Sequence, residues 1–66
     1  MVKNRLKEIR MKEYTMNSGE FARFLGISIK TYSGWENNHS KPPLDKALLI
    51  ANKLNKDVKE IWYLDD

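Results

Sequence analysis

A glycine set between two short apolar-patterned segments constrains this chain more than any other feature. Phe21, Ala22 and Leu25 precede Gly26, and Ile27, Tyr32 and Trp35 follow it. Gly26 stands where a helix ends on a residue of positive φ, and Ser28 then serves as the N-cap of a new helix. Two short helices joined this tightly form a stiff, right-angled unit only if the residues at their crossing are small or apolar. Ala22 lets the axes approach closely. The pattern predicts one helix capped by Asn17 or Ser18, with Glu20 in its electropositive first turn, and a second over 29–36.

The flanking segments also read as helices. Over residues 3–13, Leu6, Ile9 and Arg10 share one side, while Glu8 precedes Lys12 by four on the other. Residues 37–43 are polar, end in Pro42-Pro43 and form an exposed loop. A fourth helix starts at Pro43 or Leu44, with Leu44, Ala47, Leu48, Ala51 and Leu54 as its apolar stripe, Ile50 widening it and Asn55 as a left-handed stop. Asp57 caps a last short helix that turns Val58, Ile61 and Trp62 inward and leaves Tyr63, Leu64 and the acidic end near the surface. The expectation is an all-α, five-helix domain over 1–66, with the C-terminal helices over about 43–63.

Sixty-six residues without cysteine support one compact unit whose core rests on Leu, Ile, Phe, Tyr, Trp and Met, with neither disulfides nor thiolate metal sites. No stretch approaches the roughly 20 apolar residues of a membrane span, and the first ten residues carry charges where a signal peptide is apolar. A cytoplasmic protein with no membrane partner is expected. Residues 1–56 hold eleven Lys/Arg against five Asp/Glu, a net +6, and residues 57–66 hold one against four, a net −3. A basic body raises the prior for a polyanion partner.

Enzymatic chemistry finds little to work with. His39 is the single histidine, and no paired carboxylates, nucleophile with base, Gly-rich phosphate loop or metal set can be assembled. No cofactor, metal or small-molecule ligand is expected.

From Ala22, Gly26 follows by four, Tyr32 by ten and Trp35 by thirteen, the spacing of a helix-turn-helix unit. With Arg10, Phe21-Ala22, Leu25-Gly26-Ile27-Ser28, Thr31, Trp35-Glu36-Asn37, Lys41-Pro42 and Leu54, the chain resembles the Cro/repressor (XRE) helix-turn-helix family over residues 4–62 or so. The resemblance implies a lambda-repressor-like bundle of five helices, with the helix-turn-helix over about 17–36 formed by helices 2 and 3. It also implies a DNA-binding regulator that acts as a homodimer on a two-fold symmetric site of double-stranded DNA.

Carried over by position, the resemblance places Ile29, Lys30, Ser33 and Gly34 toward the bases. It places Asn17, Ser18, Ser28, Thr31, Asn37, Asn38, His39 and Lys41 toward the backbone, and makes Arg10 and Glu36 a structural ion pair. Ser18 stands where Gln is common, Gly34 where a longer side chain is common, and the connection between helices 1 and 2 is one residue longer than usual. Lys30 suits guanine O6 and N7, Ser33 suits several bases, and Ile29 suits a thymine methyl. Gly34 allows either close approach to DNA or only a tolerated cost of about 1 kcal/mol within a helix. So lightly armed a helix points to specificity from half-site spacing, DNA shape and phosphate contacts. Trp62, Tyr63 and Leu64 are the candidate dimer surface, with half-sites ~34 Å apart. The rival reading is a protein-interaction module or antitoxin-like partner on the same fold.

Overall fold

The computed structural model describes residues 1–65; Asp66, included in the expected domain, lies outside the described residues. Five helices and a two-stranded antiparallel sheet follow in the order β1 (Val2–Asn4), α1 (Leu6–Ile9), a π-helical turn (Arg10–Tyr14), α2 (Ser18–Leu25), α3 (Ile29–Glu36), α4 (Leu44–Lys53), α5 (Val58–Ile61) and β2 (Trp62–Leu64).

The sheet corrects the all-α expectation. The helical pattern puts Lys3 and Asn4 in the first helix and Trp62 in the last, but the two ends of the chain pair, with Val2 opposite Leu64, Lys3 opposite Tyr63 and Asn4 opposite Trp62. Asn4 Oδ1 accepts from the Leu6 N–H at 3.0 Å, which satisfies an orphan donor and starts α1 no earlier than Leu6. The last helix is a single turn, whose start is fixed by the Asp57 N–H donating to Glu60 Oε1 at 2.9 Å, before the backbone turns extended at Trp62.

α2, α3 and α4 end alike. Gly26, Asn38 and Asn55 take positive φ of 78°, 62° and 58°. The N–H after each reaches back to the carbonyl five residues earlier: Ile27 to Ala22 (3.0 Å), His39 to Gly34 (2.9 Å) and Lys56 to Ala51 (2.9 Å). This Schellman closure satisfies carbonyls that a helix end otherwise leaves bare. Thr15 also takes positive φ, 50°, and follows the π turn, in which the Thr15 N–H bonds to the Arg10 carbonyl.

The core gathers Leu6, Ile9, Phe21, Ala22, Leu25, Tyr32, Trp35, Ile50, Ala51, Leu54 and Ile61. Phe21 lies edge-on to Tyr32 with ring centroids 5.6 Å apart, and Tyr14 covers both Phe21 and Phe24 at 5.3 Å. The stripe on α4 is narrower than expected: Ala47, Ile50, Ala51 and Leu54 are buried, but Leu44 and Leu48 are not. Leu44 and Leu48 are 72% and 51% exposed, while Ile50 is central to the core. Apolar residues occupy three sides of α4, so periodicity alone does not select the face that Ala47, Ile50, Ala51 and Leu54 bury. Among the described residues, no helix is long and apolar enough to cross a membrane.

Candidate nucleic-acid interface

α3 is held by its inward side and leaves the opposite side open. Tyr32 and Trp35 are buried, Ser33 and Gly34 half-buried, and Ile29, Lys30 and Thr31 exposed. The start of α3 follows from Ser28, whose Oγ accepts from the Thr31 N–H at 3.1 Å and donates to Thr31 Oγ1 at 2.9 Å. α2 starts on a capping box. Asn17 Oδ1 accepts from the Glu20 N–H at 2.8 Å, and the Asn17 N–H donates to Glu20 Oε1 at 2.9 Å. Asn17 and Ser28 therefore hold helix starts, with their side-chain oxygens already engaged.

Lys30, Thr31, Ser33, Gly34, Asn37 and His39 line one open groove of about 580 Å³ together with Ser40. The groove has a lysine in its lining and no carboxylate. Glu36, the acidic residue nearest in sequence, turns inward, where its Oε1 accepts from Arg10 Nε at 3.1 Å and from Tyr32 Oη at 2.6 Å. Both charged side chains are nearly buried, 11% and 12% exposed. Burial opposes the Arg10 charge, but the hydrogen bond to Glu36 and the neighbouring Tyr32 oxygen outweigh it and raise the guanidinium pKa. The Tyr32 phenol is pushed well above its ordinary range, first by burial and then by donation to Glu36. The ion pair thus removes a carboxylate from the side of α3 that an anion would approach.

Other expected contacts are placed differently. Ile29 leans toward the first turn of α2, its Cδ1 3.5 Å from where a Cβ on Gly19 would stand. Ser18 and Asn17 stand on that first turn, apart from the groove lining. Asn38 is turned toward β1, its Oδ1 accepting from Asn4 Nδ2 at 2.9 Å. Lys41 is exposed beyond the groove. Trp62, Tyr63 and Leu64 lie on β2, where they line an apolar groove with Val2 and Lys59.

Two contacts escape the sequence reading. Ser40 folds over Gly34, with its N–H on the Gly34 carbonyl at 3.2 Å and its Oγ 3.0 Å from where a Gly34 Cβ would stand. A loop packed on the helix therefore offers a third reason for glycine at that position. Asn4 bridges β1 to the end of α3, over 31 to 34 residues of sequence. No local pattern signals either contact.

Residues 6–61 match the family model described as Helix-turn-helix. Over 62 residues the chain is 34% identical to a Bacillus subtilis (strain 168) protein named "Uncharacterized HTH-type transcriptional regulator YobD", covering 94% of this chain and 54% of that protein. The chain spans about half the length of the curated relative it matches. A crystal structure of a "putative DNA-binding protein" from Bacteroides fragilis superposes with a TM-score of 0.74 at 32% identity, covering 94% of this chain and 98% of that one.

Proposed function

The chain belongs to the XRE-type helix-turn-helix family, and from that premise we propose that it is a sequence-specific DNA-binding transcriptional regulator, acting as a repressor. α2 and α3 form the helix-turn-helix, and α3 enters the major groove. The observation that carries this reading is the groove along α3, where Lys30, Ser33 and Gly34 meet the polar loop residues Asn37, His39 and Ser40 with no carboxylate in the lining.

In this reading Lys30 and Ser33 face base edges, Ile29 faces a thymine methyl, and Gly34 brings the backbone close. Ser18 and Asn17 at the start of α2, Ser28 and Thr31 at the start of α3, and residues 37–41 meet phosphates. Helix N-termini and hydroxyls are suited to that task. Because one helix covers too few base pairs, two copies bind half-sites ~34 Å apart. The half-exposed Trp62 and Tyr63 and the exposed Leu64 on β2 supply the surface on which the copies meet.

Selection from a random duplex library at near-physiological salt tests the proposal. A two-fold symmetric motif with half-sites about one turn apart is expected. Failure to enrich any sequence overturns it.

A second reading, a protein-interaction module or antitoxin-like partner, draws support from Leu44, Leu48 and Leu49, which are 72%, 51% and 62% exposed on α4. Recovery of a stable protein complex that survives substitution of those leucines removes that support.

A further inference from the structure

Asn4 uses both ends of its amide on two different helices. Its Oδ1 accepts from the Leu6 N–H, the first of α1, at 3.0 Å. Its Nδ2 donates to the Trp35 carbonyl at 2.8 Å and to Asn38 Oδ1 at 2.9 Å, with the Glu36 carbonyl at 3.4 Å. Two N–H groups thus meet two short acceptors, one a carbonyl in the last turn of α3 and the other the side chain of its left-handed terminating residue.

The loop beyond depends on that terminus. The Trp35 carbonyl also accepts from the Asn38 N–H at 3.1 Å, while the His39 and Ser40 N–H groups both return to Gly34. Asn38 is therefore held twice, by its own backbone closure and by Asn4. His39 and Ser40, which line the groove along α3, follow it directly. The anchor is a strand, since Asn4 is paired with Trp62 in the sheet, so the loop is tied to an element outside the helix that it ends.

We propose that Asn4 is a positioning residue for DNA binding, one that fixes the end of α3 and residues 38–40 in the place from which they meet the DNA backbone. The inference rests on the DNA-binding reading. A side chain that pins a loop before binding reduces the entropy that ordering the loop would otherwise cost on binding. Its effect therefore falls on phosphate contacts rather than on base choice.

The test compares the full chain with its Asn4→Ser and Asn38→Gly variants. Serine keeps a short acceptor for the Leu6 N–H but is too short to bridge to α3. Glycine keeps the left-handed backbone and removes the side-chain acceptor, while loosening the chain at that one position. Two readouts are taken below the melting temperature of each variant: amide hydrogen exchange in the free protein, and affinity for the selected duplex across a salt series.

For Asn4→Ser the expected results are faster exchange at Asn38, His39 and Ser40 with Phe21 and Leu25 unchanged, and about tenfold weaker binding. The salt slope should be shallower by about one for each phosphate no longer held, with the preferred sequence unchanged. Wild-type exchange, affinity and slope in Asn4→Ser overturn the positioning role alone. No DNA binding by the wild-type chain overturns the functional reading and this inference with it. If Asn4→Ser does not fold, Asn38→Gly decides by exchange and by the Asn4 side-chain amide resonance: faster opening at His39 and Ser40 together with a shifted Asn4 Nδ2 signal supports the role, and unchanged protection contradicts it.

Discussion

Arg10 Nε donates to Glu36 Oε1 at 3.1 Å across the gap between the π turn and the end of α3, and Tyr32 Oη donates to the same oxygen at 2.6 Å. Arg10 also reaches the Met16 carbonyl at 3.0 Å. One arginine thereby ties the start of the π turn, the approach to α2 and the last turn of α3. A nearly buried pair of this kind contributes little relative to apolar packing, but its loss on one side leaves a charge without its partner.

Glu36→Ala is therefore expected to destabilise by about 3 kcal/mol, which in a chain of this size lowers the melting temperature by more than about 10 °C. Combining Arg10→Met, Tyr32→Phe and Glu36→Leu removes the polar group as a unit and should recover much of that loss. Thermal unfolding of the single and triple variants checks both. Equal melting of Glu36→Ala and wild type contradicts the buried role of the pair.

Alkaline stability follows from Tyr32. Its pKa in the folded state is raised, so the folded state holds the phenol proton more tightly than the unfolded chain does. That contribution is full below the ordinary tyrosine value of about 10 and is lost as pH rises beyond it. Tyr32→Phe should flatten the fall in stability above about pH 10 relative to wild type. Unfolding curves collected through that range measure the difference, and parallel falls refute it.

The two structurally constrained glycines should respond differently to alanine. Gly26→Ala places a Cβ at φ 78° with nothing within 4 Å of it, so the cost is backbone strain, about 1–2 kcal/mol. Gly34→Ala gains helix propensity of about 1 kcal/mol against a contact with the exposed, rotatable Ser40 hydroxyl. Gly34→Ala is expected near wild-type stability with weakened DNA binding, because the methyl and the displaced Ser40 both intrude on the groove. Chemical denaturation and DNA titration of the two variants separate these effects.

Lys30 is exposed and lines the groove. Lys30→Ala should weaken binding to the selected site by roughly 1–3 kcal/mol and relax the base preference opposite it. Its melting temperature should not change. A repeat of the sequence selection with the variant tests the claim, and an identical motif at identical affinity contradicts it.

Much of the helical frame is legible in the sequence because helix starts and stops are local. Asn17, Ser28 and Asp57 each sit at a helix start, and Gly26 and Asn55 at helix ends. The sheet is not legible, since Val2–Asn4 and Trp62–Leu64 are too short to show a period and pair across nearly the whole chain. The apolar stripe of α4 is read too wide, because Leu44 and Leu48 satisfy the helical repeat as well as Ile50 does, and only packing decides between them. At the candidate site, Lys30, Ser33 and Gly34 are found through a family resemblance. Asn4 and the packing of Ser40 on Gly34 go unseen, because both lie in contacts with α3 that composition and spacing do not encode.

The most direct test is a titration of isotope-labelled protein with the selected duplex, followed residue by residue by NMR. The largest shifts are expected in α3, in the 37–41 loop and in the first turn of α2, with Leu44, Leu48 and Leu49 on α4 unmoved. Shifts centred on the α4 leucines, or DNA binding that leaves Lys30, Ser33 and Gly34 unperturbed, would contradict a DNA-reading role for α3.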